Sequence, residues 1–314
     1  MPVINYYRMW LLVALLGNAC LATVGVVDKL ILTKAVPKPI VFVFYSTIFV
    51  LPLVLLLPFG LVQLPKNFAD SIIFLISGLS FAFGVWAMYN AIAKGEVSRL
   101  GPLIGAAIPF FILCFGSFFL SEKLSLYAYI AAGFLIIGSL FVSFNEKTGS
   151  GAWHSGLDWA LLAAVLFAIS HMTAKYAFNT YGFVSGFVLT KIPIGFFGLA
   201  LLGSTTVRQA IFKKTDADRM VAQGPLARYQ AVLVGGNIAL GAIGAILIQY
   251  AMSLGSVSLV NALAGVQYVL LLVIVAGISR WRPQILHETF TKQEIMHKAA
   301  AVVCIAIGLL FLLQ

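Results

Sequence analysis

Long apolar runs separated by short polar stretches make up almost the whole chain. Each run is close to the roughly 20 residues that an α-helix needs to cross about 30 Å of hydrocarbon. The runs predict ten helices, at 9–31, 40–60, 70–93, 99–120, 125–144, 157–178, 183–204, 230–253, 256–279 and 297–313. The predicted fold class is therefore an all-α integral membrane protein with ten transmembrane helices.

Two connections between these runs are long enough to have a character of their own. The segment 205–229 mixes basic residues with apolar ones, a pattern that favours an amphipathic piece on the membrane surface. The segment 280–296 is a second polar connector.

The two halves of the sequence resemble one another. YNAIAKGEVS at 89–98 matches YAMSLGSVS at 250–258, and VVDKLIL at 26–32 matches MTAKYAF at 172–178, which pairs Lys29 with Lys175. These matches predict two five-helix repeats, 1–148 and 149–314. Because five is odd, the second repeat enters the membrane from the opposite side, and inverted repeats of this kind can expose one central site to each side in turn.

Composition agrees with a membrane protein. Hydrophobic residues are 61% of the chain and charged residues 10%, against roughly 45–50% and about 25% in a soluble domain. The 20 basic residues lie in short loops between apolar runs, where they orient helices and meet lipid headgroups, so no nucleic-acid partner is expected. The three cysteines have no metal-ligand spacing, and neither a cofactor nor a metal is expected.

Several of these features are similar to those of the drug/metabolite transporter superfamily, specifically its EamA-type branch. They are the two five-helix halves, the turn Y-x-A-x-x-x-G-x-V-S, the Pro109 within the fourth helix and the LSEKLS turn before an apolar helix. The resemblance is stronger in the first half, because the second has extra residues at 280–284 and no proline opposite Pro109.

The resemblance implies export or exchange of amino acids, related metabolites or drugs across a plasma or bacterial inner membrane. It also implies a cavity between helices 1, 3 and 4 of one half and helices 6, 8 and 9 of the other. The partners expected are a small-molecule substrate and the lipid bilayer, and a monomer and a homodimer both remain open.

Charged residues within the apolar runs are costly and therefore suggest function. Lys191 in the seventh helix is a candidate for binding substrate, unless it reaches toward a helix end or pairs with a carbonyl. Asp28 and Lys29 are candidates for proton coupling or gating, the alternative being an ion pair near a helix end. His171 and Lys175 share a helical face. They are candidates for a gate, and the alternative is that they are interior groups held by hydrogen bonds.

Uncharged polar and aromatic residues complete the predicted binding face. The candidate substrate-binding residues are Asn18, Trp86, Tyr89, Asn90, His171, Lys191, Gln249, Tyr250, Asn261, Gln267 and Tyr268. Pro102 and Pro109 are candidates for gating, because proline removes backbone hydrogen bonds and loosens a helix.

The orientation in the membrane is left open by two opposed arguments. In the ten-helix arrangement, four Lys and Arg residues lie on the side of the termini and 15 on the other side. The positive-inside rule then places both termini outside. The family resemblance implies both termini in the cytoplasm.

A transporter or facilitator of small organic solutes is the predicted function. A sugar or nucleotide-sugar carrier of the same fold is one alternative, and a cation channel or transporter is another. An enzyme is disfavoured because the sequence lacks metal ligands such as the zinc motif H-E-x-x-H. The absence of a phosphate-binding loop G-x-x-x-x-G-K-[ST] disfavours the use of ATP.

Overall fold

The computed structural model describes residues 9–31, 39–94, 97–119, 124–143, 156–212, 227–281 and 292–312. Every regular element in these ranges is helical. The helices of the first half are α1 (Met9–Ile31), α2 (Pro39–Ile48), α3 (Phe68–Lys94), α4 (Val97–Phe119) and α5 (Leu126–Ser143).

The second half begins with a helical stretch, Leu157–Ala200, that bends at Gly182. We name its two arms α6 (157–181) and α7 (183–200). The remaining helices are α8 (Thr205–Phe212), α9 (Ala227–Leu254), α10 (Val257–Ala262), α11 (Ala264–Trp281) and α12 (Lys292–Leu312). Helix α8 covers the start of the connector predicted to be amphipathic; 213–226 lie outside the described residues.

Most helix bounds fall within a few residues of those predicted, and the differences have local causes. The range 40–60, predicted as one helix, is α2 followed by a tighter 3-10 helix, Leu51–Phe59. That segment begins with a proline at its first turn and contains Pro58, and a proline ring lacks the N–H that an α-helix requires.

The predicted helix 256–279 is also divided in the structure. Ser256 caps α10 by accepting a hydrogen bond from the Leu259 N–H at 3.3 Å. The backbone then tightens at Leu263, whose carbonyl accepts from the Val266 N–H at 2.9 Å, before α11 begins. The last helix begins at Lys292, earlier than the predicted 297.

The bend at Gly182 is a reversal of direction. Gly182 has φ 75° and ψ 170°, which lies outside the range that residues with a side chain normally adopt. A β-carbon added at Gly186 would lie 2.8 Å from the carbonyl carbon of Ala177. In a straight helix these residues would be about 13 Å apart, at 1.5 Å per residue. Helices α6 and α7 therefore form an antiparallel hairpin.

Helix α3 packs against both arms of this hairpin. On one side, Ser77 Oγ donates a hydrogen bond to the Ser170 carbonyl at 3.1 Å. On the other, a β-carbon added at Gly78 would lie 2.7 Å from Pro193 Cβ and 2.8 Å from the Thr190 carbonyl oxygen. Such close approach is possible because Gly78 has no side chain, a common device between membrane helices.

Two further helix pairs use glycine in the same way. Between α1 and α9, a β-carbon added at Gly17 would lie 3.0 Å from the Ile248 side chain. One added at Gly244 would lie 3.0 Å from the Leu21 side chain. Between α5 and α12, a β-carbon added at Gly138 would lie 2.6 Å from the Ile305 side chain. One added at Gly308 would lie 3.0 Å from the Ala131 carbonyl oxygen. These antiparallel contacts connect the first half of the chain with the second.

The interior contains two large apolar clusters with helix α4 between them. One cluster joins α1, α4, α5, α6, α9, α10, α11 and α12, and the other joins α2, α3, α4 and α6. Ile108 and Phe111 of α4 pack against both clusters and remain half-buried. We call the region between the two clusters the seam.

The apolar helices show that the chain is a multi-pass membrane protein. Among the described residues, six stretches are long and apolar enough to span a bilayer: Met9–Val27, Pro39–Phe59, Phe68–Lys94, Leu157–Gly203, Gly235–Leu254 and Val257–Trp281. The fourth of these contains the hairpin. Three shorter apolar helices are Leu100–Gly116, Leu126–Phe141 and Met296–Leu312. Large apolar side chains on the outer surface, such as Phe119 at 75% exposure, suit contact with lipid.

The crossing of α3 and α7 gives a stability prediction. We expect Gly78→Ala to destabilise the detergent-solubilised protein by about 1–3 kcal/mol, because the added methyl must push against a backbone carbonyl. The matched control is Gly133→Ala in α5, where an added β-carbon meets nothing within 4 Å. That change should stabilise by up to about 1 kcal/mol through helix propensity. Equal melting temperatures for the two variants would contradict the packing described.

Candidate functional site

Lys191 lies halfway along α7 and points between aromatic rings. Its Nζ is 4.6 Å from the centroid of Phe81 on α3 and 5.5 Å from that of Phe187 on its own helix. Phe81 packs with the cluster around α2 and α3, and Phe187 with the cluster around α9 and α10. The ammonium group is therefore held at the seam, in the middle of the helix rather than at its end.

Two more rings continue this environment onto α6. Phe167 packs edge-on against Phe81, with centroids 5.4 Å apart, and stacks on His171 at 6.4 Å. Gly84 of α3 leaves room for Phe167, since a β-carbon there would lie 3.0 Å from the ring. We name the five residues Phe81, Phe167, His171, Phe187 and Lys191 the aromatic cage.

His171 joins the cage to α10. It lies near Lys191 and near the Asn261 side chain. Asn261 is itself held by its Nδ2, which donates to the Val257 carbonyl at 2.9 Å and to Met252 Sδ at 3.3 Å. The Nδ1 atom of His171 is buried and has no hydrogen-bond partner among the described residues.

A row of rings leads from the cage toward the end of α9. Phe187 contacts Phe183 at 5.5 Å, and Phe183 contacts the ring of Tyr250 at 5.0 Å. Of the predicted candidates, the structure thus brings Lys191, His171 and Asn261 together and connects Tyr250 to them through aromatic contacts.

The triad Trp86, Tyr89 and Asn90 has contacts of a different kind. Trp86 packs edge-on against Trp159 of α6 at 5.1 Å. The hydroxyls of Tyr89 and Ser46 are 3.1 Å apart, and Asn90 Nδ2 donates to the Trp86 carbonyl at 2.7 Å. These side chains hold α3 against α2 and α6.

The remaining polar candidates are spread over α1, α9 and α11. Asn18 is buried and donates to the Ala14 carbonyl of its own helix at 2.8 Å. Gln249 is buried, and its Oε1 has no hydrogen-bond partner among the described residues. Tyr268 donates to the Gly101 carbonyl at 3.0 Å and lies directly against Gly105, while Gln267 is half-buried beside it.

Lys175 has a clear structural task in this conformation. Its Nζ donates to the carbonyl oxygens of Met252 at 2.8 Å, Ser253 at 3.2 Å and Gly255 at 2.8 Å. A helix leaves its last carbonyls without partners, and a cation there also favours the helix dipole. Lys175 therefore anchors α6 to the end of α9.

The other candidates for coupling or gating lie on α1 and α4. Asp28 and Lys29 fall in the last turns of α1, and their side chains lie outside the described residues. Pro102 and Pro109 are both inside α4, which remains helical from Val97 to Phe119. Their role in gating stays a prediction.

The structure adds a buried carboxylate, Asp70, that the sequence analysis overlooked. Asp70 is 3% exposed at the start of α3. Tyr176 donates a hydrogen bond to its Oδ1 at 2.8 Å, and Tyr181 donates to its Oδ2. The Lys66 N–H in turn donates to the Tyr181 hydroxyl at 2.8 Å. This network fastens the α6–α7 hairpin to the start of α3.

Comparisons with known proteins add family and fold. A model of the EamA-like transporter family matches residues 8–144. No curated protein matches the chain. A crystal structure of another protein aligns with 95% of this chain and 96% of its own, with a TM-score of 0.63 and 16% sequence identity. That similarity shows a shared fold, and it extends through the second half, beyond the family match.

The Asp70 network predicts coupled losses of stability. We expect Asp70→Asn and Tyr181→Phe each to lower the melting temperature in detergent, because each leaves a hydrogen-bonding group of the network without its partner. The double variant should lose less than the two single losses combined. Asp158→Asn, which changes an exposed carboxylate at the start of α6, is the control and should cost less than either, because water screens an exposed charge. Strictly additive losses would contradict the network.

Proposed function

The chain is a member of the drug/metabolite transporter superfamily through its EamA-like region, residues 8–144, and on that premise we propose that it carries small organic solutes across a membrane by alternating access. Amino acids or related metabolites are the proposed solute class, and the plasma or bacterial inner membrane is the proposed location. The two proposed moving units are 1–148 and 149–314.

Equivalent glycine contacts in the two halves are the observation that carries this proposal. The alignment that pairs Lys29 with Lys175 also pairs Leu21 with Phe167. Leu21 packs on Gly244 of α9, and Phe167 packs on Gly84 of α3. In each case a β-carbon added at the glycine would lie 3.0 Å from the facing side chain. The alignment that pairs Tyr89 with Tyr250 places Gly84 opposite Ala245, which is one residue from Gly244.

This correspondence supports the inverted repeat. In both cases a helix from one half crosses the first helix of the other half through a glycine. Two halves that use the same contact in opposite orientations can exchange conformations, which is the basis of alternating access. The lysine-bearing cage lies at the seam, where such a carrier binds its solute.

The proposal is tested by counterflow in liposomes. Purified protein is reconstituted with a high internal concentration of one unlabelled solute, and entry of the same labelled solute is followed for a panel of amino acids, organic acids, sugars and amines. A carrier should accumulate label transiently above its equilibrium level for at least one solute, because the internal solute returns the binding site to the outside.

Two controls give this measurement its meaning. Liposomes without protein should show no transient accumulation. A channel would equilibrate label without overshoot, so equilibration alone, or no flux for any member of the panel, would contradict the proposed carrier.

A further inference from the structure

The aromatic cage contains a positive charge for which the protein supplies no counter-charge among the described side chains. Lys191 is half-buried in an apolar helix, and the contacts of its Nζ are the faces of Phe81 and Phe187. Ring faces attract an ammonium group. They do not replace the hydrogen-bond acceptors that its three N–H groups would have in water.

The two carboxylates whose side chains are described are placed elsewhere. Asp70 accepts hydrogen bonds from Tyr176 and Tyr181 at the start of α3. Asp158 is exposed at the first turn of α6, opposite the end that carries the hairpin. Neither makes an ion pair with Lys191, and a cation held in a low-dielectric interior without an anion is costly.

The neighbours of Lys191 suit a particular kind of anion. Phe81, Phe167 and Phe187 offer flat apolar surfaces on α3, α6 and α7. His171 presents a buried Nδ1 without a hydrogen-bond partner among the described residues. One charged group beside ring faces and one free polar atom matches a molecule with a single negatively charged head and an apolar body.

We propose that the solute of this carrier is an organic carboxylate with an aromatic or apolar body, bound with its carboxylate on Lys191 and its body against Phe81 and Phe187. His171 donates a further hydrogen bond to the same head in the tautomer that carries its proton on Nδ1. The assignment rests on the proposed transport function and narrows it from small organic solutes to those with a carboxylate head and an apolar body. It also explains why a lysine lies halfway along a membrane helix.

Three probes that share one apolar body test the charge preference directly. They are phenylpropionate, its neutral amide phenylpropionamide, and the cationic phenylpropylamine. Binding to the detergent-solubilised protein is measured by calorimetry or by the rise in melting temperature. Phenylpropionate should bind the native protein at least about tenfold more tightly than the other two, as expected for a partly buried charge pair.

Three variants assign the preference to Lys191. Lys191→Met removes the charge and should abolish the preference for the carboxylate, whereas Lys191→Arg keeps the charge and should retain most of it. The matched control is Lys94→Met. The Nζ of Lys94 also lies over a ring, 5.1 Å from the centroid of Trp159, but its side chain is exposed at the end of α3. This variant should bind like the native protein.

The outcomes separate this inference from the transport function. Equal affinities for the three probes, no binding of phenylpropionate, or an undiminished preference in Lys191→Met would overturn the anion assignment. The comparison of probes on the native protein stands even if a variant fails to fold. Selective binding of phenylpropionate without counterflow would overturn transport and leave the anion site. Counterflow of the amine or the amide alone would support transport and overturn the anion site.

Discussion

The absence of water in hydrocarbon is the constraint on which this structure depends. Backbone groups must be satisfied within helices, so helices can approach closely only where side chains are missing. Gly78, Gly84 and Gly244 provide that approach at the crossings of α3 with α6 and α7 and of α9 with α1. Once these crossings are fixed, the larger side chains divide into two apolar clusters, and the polar and aromatic residues of the cage lie between them.

Apolar run length predicted the helices well because a membrane-crossing helix has a nearly fixed length. It could not predict where the backbone conformation changes within a run. The 3-10 segment Leu51–Phe59 depends on two prolines inside an otherwise uniform run, and the break at Leu263 has no polar marker. The reversal at Gly182 needed a single glycine with positive φ, whereas the sequence suggested a longer break between two helices.

The candidate site was predictable only in part. A lysine inside an apolar run is conspicuous, so Lys191 was identified. Phe81 and Phe187 were not, because phenylalanine is ordinary in membrane helices and nothing local marks the two that face a cation. In the sequence, Asp70 stands at the start of the predicted helix 70–93, a position where a carboxylate is usually exposed. Its burial comes from Tyr181, which is 111 residues away in sequence and is brought to it by the hairpin.

The most direct test of the inverted repeat is the side from which equivalent connections can be labelled. Gln63 lies between α2 and α3, Gln209 lies on α8 in the equivalent connection after α7, and both are exposed. Single cysteines at these positions, in a protein without its natural cysteines, are treated in oriented membranes with a maleimide that does not cross lipid. The account predicts that Gln63→Cys and Gln209→Cys react from opposite sides; reaction of both from the same side would contradict it.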